Sequence, residues 1–199
     1  MRHLLLALTL ACTPVLAQEG PTSRPSDDAE GQAKKPEKVT TPAGLVLSGQ
    51  EGWVKEEVKS SMRVAQWKLP RAEGDEKDAE LAVFWFQGGG GGVEANMERW
   101  LGQIKQPDGK ASKEVAKRET KEIAGFKVHL VDVTGTYSAT DMRPGGGGGK
   151  VELSGARLLG AIVEGPGGPH FFKLLGPHKT VDKWEKSFQA FLEAMRQEG

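Results

Sequence analysis

Two runs of five glycines are the first places to look for chemistry: residues 88–92 in AVFWFQGGGGGVEANMERW and residues 145–149 in RPGGGGGKVEL. Strand, glycine loop and helix in that order can cradle a phosphate on backbone N–H groups. The spacing argues against it. A dinucleotide fingerprint starting at Gly88 puts its third glycine at Val93, and one starting at Gly90 puts it at Ala95. A P-loop ending at Gly149-Lys150 would have Pro144 in place of its first glycine and Val151 in place of its hydroxyl residue. VELSGARLL, which follows, reads as a strand, so no helix N-terminus faces the loop. A nest of N–H groups must be fixed to bind, and five glycines resist one conformation. Residues 88–92 therefore read as a flexible connector.

The other reactive groups are scattered. His129, His170 and His178 lack a second ligand at H-x-x-x-H or H-E-x-x-H spacing, and a structural role is expected for all three. His129 and Asp132 share a strand-like run but point to opposite faces. No G-x-S-x-G is present, and Ser154 precedes a single glycine. Carboxylates are plentiful but lie in charged loops and helix faces, where acid–base catalysis lacks the burial it needs. The sequence assigns no catalytic residue, no metal ligand and no cofactor.

One local pattern remains. At 100° per residue, Asn96, Arg99 and Gln103 follow one border of the apolar stripe formed by Val93, Met97, Trp100, Leu101 and Ile104. These three are the candidate ligand-binding residues. The competing expectation is that they bond backbone at the margin of the core.

The ends and the composition bound the class. MRHLLLALTLACTPVLAQEG has a positive start, a short apolar run and small residues before a cut, as in a secretory leader. We expect a signal peptide over residues 1–17, cleavage after Ala17, and a periplasmic or extracellular product. LTLAC offers an alternative: a lipoprotein anchored through Cys12, the one route to the membrane expected here, although Thr9 stands where such sites usually carry Leu. Cys12 is the only cysteine, so the mature chain has no disulfide, thiol nucleophile or cysteine-ligated zinc. The net charge is +0, with acids and bases interleaved as in KEVAKRETKE, which argues against nucleic-acid binding. Residues 18–41, rich in proline, glycine and charge, are expected as a disordered linker. Residues 42–199 form one domain, large enough to hold a core.

Within that domain, MRVAQWKLP alternates in part, and ELAVFWFQ is apolar on both faces, as in a central strand. A helix is expected over residues 93–105, ended by Pro107 and Gly109. Ala124-Gly125 and PGGP each read as the turn of a hairpin. Residues 180–196 carry a helical stripe from Val181 to Met195, with Thr180 as N-cap and Asp182 in the first turn. Trp85, Trp100 and Trp184 fit the core, whereas Trp53 and Trp67 could be exposed. Hairpins exclude a doubly wound parallel sheet. The class is α+β, an antiparallel sheet covered by helices.

This order of strands, helix, hairpins and C-terminal helix resembles the Mog1/PsbP-like fold, an α/β/α sandwich. MRVAQWKLP, NMERWLGQI and FFKLLGPHKTVDKWEKSFQAFL resemble a group of exported bacterial proteins of unknown function, across residues 45–195. The fold's members include photosystem assembly factors, a binder of a nuclear-transport GTPase and bacterial lipoproteins. The resemblance implies partner binding rather than a shared reaction, and no site residue carries over. The function expected is that of an exported, non-enzymatic domain that binds or stabilises another envelope component. The alternative is a small-ligand (anion) binder or weak hydrolase with a groove near Asn96, Arg99 and Gln103. The partner's identity and the oligomeric state stay open.

Overall fold

The computed structural model describes residues 37–140 and 149–199. The leader, Cys12, residues 18–36 of the expected linker, and most of the second glycine run lie outside them. Strands β1 (Lys38–Thr40), β2 (Leu45–Ser48), β3 (Val54–Lys55), β4 (Arg63–Leu69) and β5 (Ala79–Trp85) come first. Helix α1 (Val93–Leu101), β6 (Ile104–Lys105), the short α2 (Ser112–Val115), β7 (Lys117–Ile123) and β8 (Phe126–Thr140) follow. The chain ends with β9 (Lys150–Gly165), β10 (Gly168–Pro177), α3 (His178–Glu193) and β11 (Arg196–Gln197). The main sheet runs β3-β4-β5-β10-β9-β8-β6, with β7 also on β8; β1, β2 and β11 form a second, three-stranded sheet. Every pairing is antiparallel. The fold is α+β, as its hairpin signals require.

The two faces of the main sheet explain why β9 reads ARLLGAIV. Its odd residues, Leu159, Ala161 and Val163, face α3 and join Trp67, Phe172, Phe188 and Phe191 in one core. Its even residues, Leu158 and Ile162, face α1 and join Met97, Trp100 and Phe171 in the other. A strand covered on both faces cannot alternate apolar with polar. Gly160 is a packing requirement: a Cβ there would lie 2.7 Å from the Trp100 ring. Phe191 anchors the α3 side, with ring centroids 5.2 Å from Trp53 and 5.4 Å from Trp67. Both of the uncertain tryptophans are thus core or core-margin residues. The Arg118 guanidinium forks onto both oxygens of Glu94 and ties α1 to β7.

Both expected hairpins form. The β7–β8 turn has Ala124 at φ 54° and Gly125 at φ 79°, the two positive angles that match the twist of adjacent strands. Alanine is strained there and asparagine is not. Ala124→Asn should therefore raise the stability by about 0.5–1 kcal/mol, read as a higher urea midpoint. A midpoint that stays put or falls would contradict the strain.

Five expectations need correction. Strand pairing begins at Lys38, before the expected boundary at residue 42, because Val39 packs against the α3-side core. The first helix ends at Leu101, and Ile104 leaves it for a strand, opposite Tyr137, burying its side chain beside Trp100. Helix α3 begins at His178, so Thr180 lies inside it and is not its N-cap. The Thr180 N–H and hydroxyl both donate to Asp75 Oδ2, at 2.8 and 2.6 Å, so a loop carboxylate 105 residues away caps the helix. A bulge between Arg63 and Ala65 sends Val64 to the α3 core and breaks the alternation read in MRVAQWKLP. Finally, residues 88–91 all hold positive φ, and the Asn96 amide donates to the carbonyls of Gly90 and Gly92. The glycines supply a required backbone shape rather than slack.

Candidate functional site

A concavity lies on the α3 side of the main sheet. There β7, the β7–β8 turn, β8, β9 and α3 border a groove of about 740 Å³. Ile123 and Leu130, both partly exposed, line it above the buried Leu159, Phe188 and Leu192. Its rim alternates in charge along β7, Lys117, Glu119 and Lys121, and carries Glu185 and Glu193 from α3. Among the described residues β7 pairs only with β8, so its outer edge is unpaired.

Arg157 sits at the groove's margin, 8% exposed. Its Nε and Nη2 donate to the two oxygens of Asp132, both at 2.9 Å. Its Nη1 donates to Asp182 at 2.6 Å and to Glu185 at 2.8 Å. The carboxylates, Asp132 first, hold the guanidinium far above its ordinary pKa, against the opposing effect of burial. A planar fork gives Asp132 two parallel bonds and leaves Nη1 for the other two carboxylates, a geometry that an ammonium lacks. Asp182, expected to complement the helix N-terminus, instead reaches Arg157, and His178 four residues back lies 3.2 Å from its other oxygen.

Of the candidate residues, two bond each other and the third bonds Lys173. Asn96 is buried and serves the glycine loop, and its Oδ1 accepts from Arg99. Arg99 is exposed on α1. Gln103, beyond the end of the helix, accepts from Lys173 Nζ of β10.

Lys173 is the residue that sequence reasoning missed. It interrupts the apolar run HFFKLLG, a visible signal of a cation at an inward position. Its Nζ lies over the Tyr137 ring, 4.8 Å from the centroid. Burial lowers its pKa to about 8; Glu80 opposes that shift and Arg63 and Arg99 add to it. Glu80 is itself taken up by Arg63 at 2.9 Å and by the Gln66 amide at 2.9 Å. Burial also raises the Tyr137 pKa. Among the described residues no carboxylate lies within ion-pair distance of Lys173.

The histidines hold structure in place. His129 joins Thr120 Oγ1 to Glu164 Oε1 at 3.1 and 2.7 Å. His170, fully buried, bonds Thr41 and the Gly168 carbonyl. No group of three or more His, Cys, Asp or Glu is placed to hold a metal among the described residues.

No family model and no curated protein matches this chain. Among solved structures it is similar to the solution structure of cyanobacterial PsbP (CyanoP) from Synechocystis sp. PCC 6803. That match has 10% identity and a TM-score of 0.48, and it covers 87% of this chain and 98% of the other.

Proposed function

We propose that the chain is an exported, non-enzymatic domain that binds and stabilises another component of the cell envelope. The occupant is an extended segment of a partner protein, laid along β7 in the groove beside α3. The leader-like start supports export. The observation that carries the binding role is the unpaired edge of β7 above a groove in which Ile123 and Leu130 are partly exposed, beneath a rim of alternating charge. Main-chain hydrogen bonds to the free edge give such a surface its affinity, and the side-chain contacts and charged rim select the register. The charges on β7 also keep its free edge from pairing indiscriminately. The ionic groups around Arg157 are committed to one another, which suits a rigid docking wall better than a reacting centre.

Gln189 is exposed on α3 and lines the groove, so a large ring there fills the space without entering the core. A photo-crosslinking residue at position 189 should capture one envelope protein, and Gln189→Trp should reduce its retention in pull-downs at least tenfold. Thermal stability should not change. Equal retention by Gln189→Trp, or the same crosslinks from an exposed position on the opposite face, would rule the groove out.

A further inference from the structure

We infer that Lys173, with Arg99 beside it, forms a binding site on the α1 face of the sheet for an organic carboxylate with an apolar tail.

The missing counter-charge is the first observation. Lys173 is half-buried, and taking an ammonium even partly out of water is costly unless an anion or several acceptors replace that water. Lys173 Nζ has one amide oxygen, from Gln103, and one ring face, from Tyr137. Arg63 faces it from β4 and Arg99 from α1, both cationic. Glu80 on β5 is occupied by Arg63 and Gln66, and Gln66 also donates to Glu56 at 2.7 Å. The cluster is thus rich in cations, and its nearest anion is already bound. A ligand carboxylate would complete Lys173 and meet the Arg99 N–H groups not spent on Asn96, which belong to no ion pair among the described residues.

Shape is the second observation. Across the β5–β10 ladder Lys173 stands opposite Ala82, and Phe84 is two residues further along the same face. Ala82 is small and buried, 3% exposed. Phe84 and Phe86 stack with centroids 6.4 Å apart, and both are only partly buried. Leu175 lies two residues from Lys173 on the same face and is also partly buried. An apolar wall next to an unpaired cation suits an alkyl or aryl acid better than a bare inorganic anion. A carboxylate at Nζ would also favour the protonated amine, so affinity should be full below about pH 8 and fall as pH rises past the lysine's pKa.

Free fatty or aryl acids and the C-terminal carboxylate of a chain present the same chemistry. Calorimetric titrations at pH 7 with hexanoate, hexanamide, inorganic phosphate, a short apolar peptide acid and its C-terminal amide separate these sources. Binding of hexanoate alone assigns a free acid, and binding of the peptide acid assigns a chain end. Both amides should fail, and phosphate should bind at least tenfold more weakly. Lys173→Met should abolish the binding, and Arg99→Gln should weaken it roughly tenfold, with near-UV circular dichroism confirming the fold of both. Gln189→Trp, in the opposite groove, should bind as the parent does. No heat from either acid, phosphate binding as tightly, or unchanged affinity in Lys173→Met would each overturn the site.

Discussion

Arg157→Ala should cost about 3 kcal/mol of stability, a fall in midpoint of roughly 6–12 °C for a domain of this size. Four donor contacts are lost, and three carboxylates remain with no cation between them. Breaking a fully buried pair costs about 3–5 kcal/mol. Asp182 and Glu185 are 45% and 38% exposed, so water offsets part of the loss and the lower end applies. The greatest part should come from Asp132, the least exposed of the three at 24% and the one held by two parallel bonds. Arg157→Lys keeps the charge without the fork, and about half the loss should remain. Urea denaturation of the parent, both variants and Asp132→Asn with and without Arg157→Ala gives the coupling directly. A cost under about 1 kcal/mol for Arg157→Ala would mean that the network is decorative. Because the cluster ties β8 and β9 to α3 at the groove's margin, a large cost also means that the docking wall is preformed.

Legibility in the sequence followed the range of the forces involved. The turn at Ala124-Gly125, the double-faced run in β9 and the stripe of α3 are set by neighbouring residues, and each could be read locally. What escaped was set at a distance. Ile104 has the right spacing to continue α1, but β8 offers it a free strand edge opposite Tyr137. Thr180 looks like a cap, but Asp75 does the capping from a loop. By spacing alone, Asn96, Arg99 and Gln103 follow one helical border. Gln103 lies beyond the helix and reaches Lys173, while Asn96 turns back to the glycine loop. The loop's own order was hidden because glycine runs signal freedom and say nothing of the amide that clamps them. Lys173 and Arg157 were each visible as a lone cation in an apolar strand, but their partners come from other strands and from helices.

Acid should expose the contribution of His170. Its ring has no exposed surface, and burial lowers its pKa to about 4. The Nδ1–H donates to the Gly168 carbonyl at 3.1 Å, and Nε2 accepts from the Thr41 hydroxyl at 3.0 Å. Thr41 Oγ1 in turn accepts from the Leu45 N–H, so the hydroxyl proton is committed to the ring. A second ring proton would have to displace that bond inside the core. The unfolded chain, by contrast, takes up the proton near pH 6.5. The folded pKa is therefore the lower of the two, and the unfolded state binds more protons across the interval. Stability is complete above pH 6.5 and falls toward pH 4, with a total near 3 kcal/mol for one proton over that span. Chemical denaturation at half-unit steps from pH 7.5 to 4 should show this slope. His170→Asn keeps a donor for Gly168 and removes the titration. It should be less stable at pH 7, yet lose about 3 kcal/mol less than the parent on acidification. Parallel pH curves for the two would mean that His170 takes up its proton in the folded state at no cost, and that its bond to Thr41 does not hold the ring neutral.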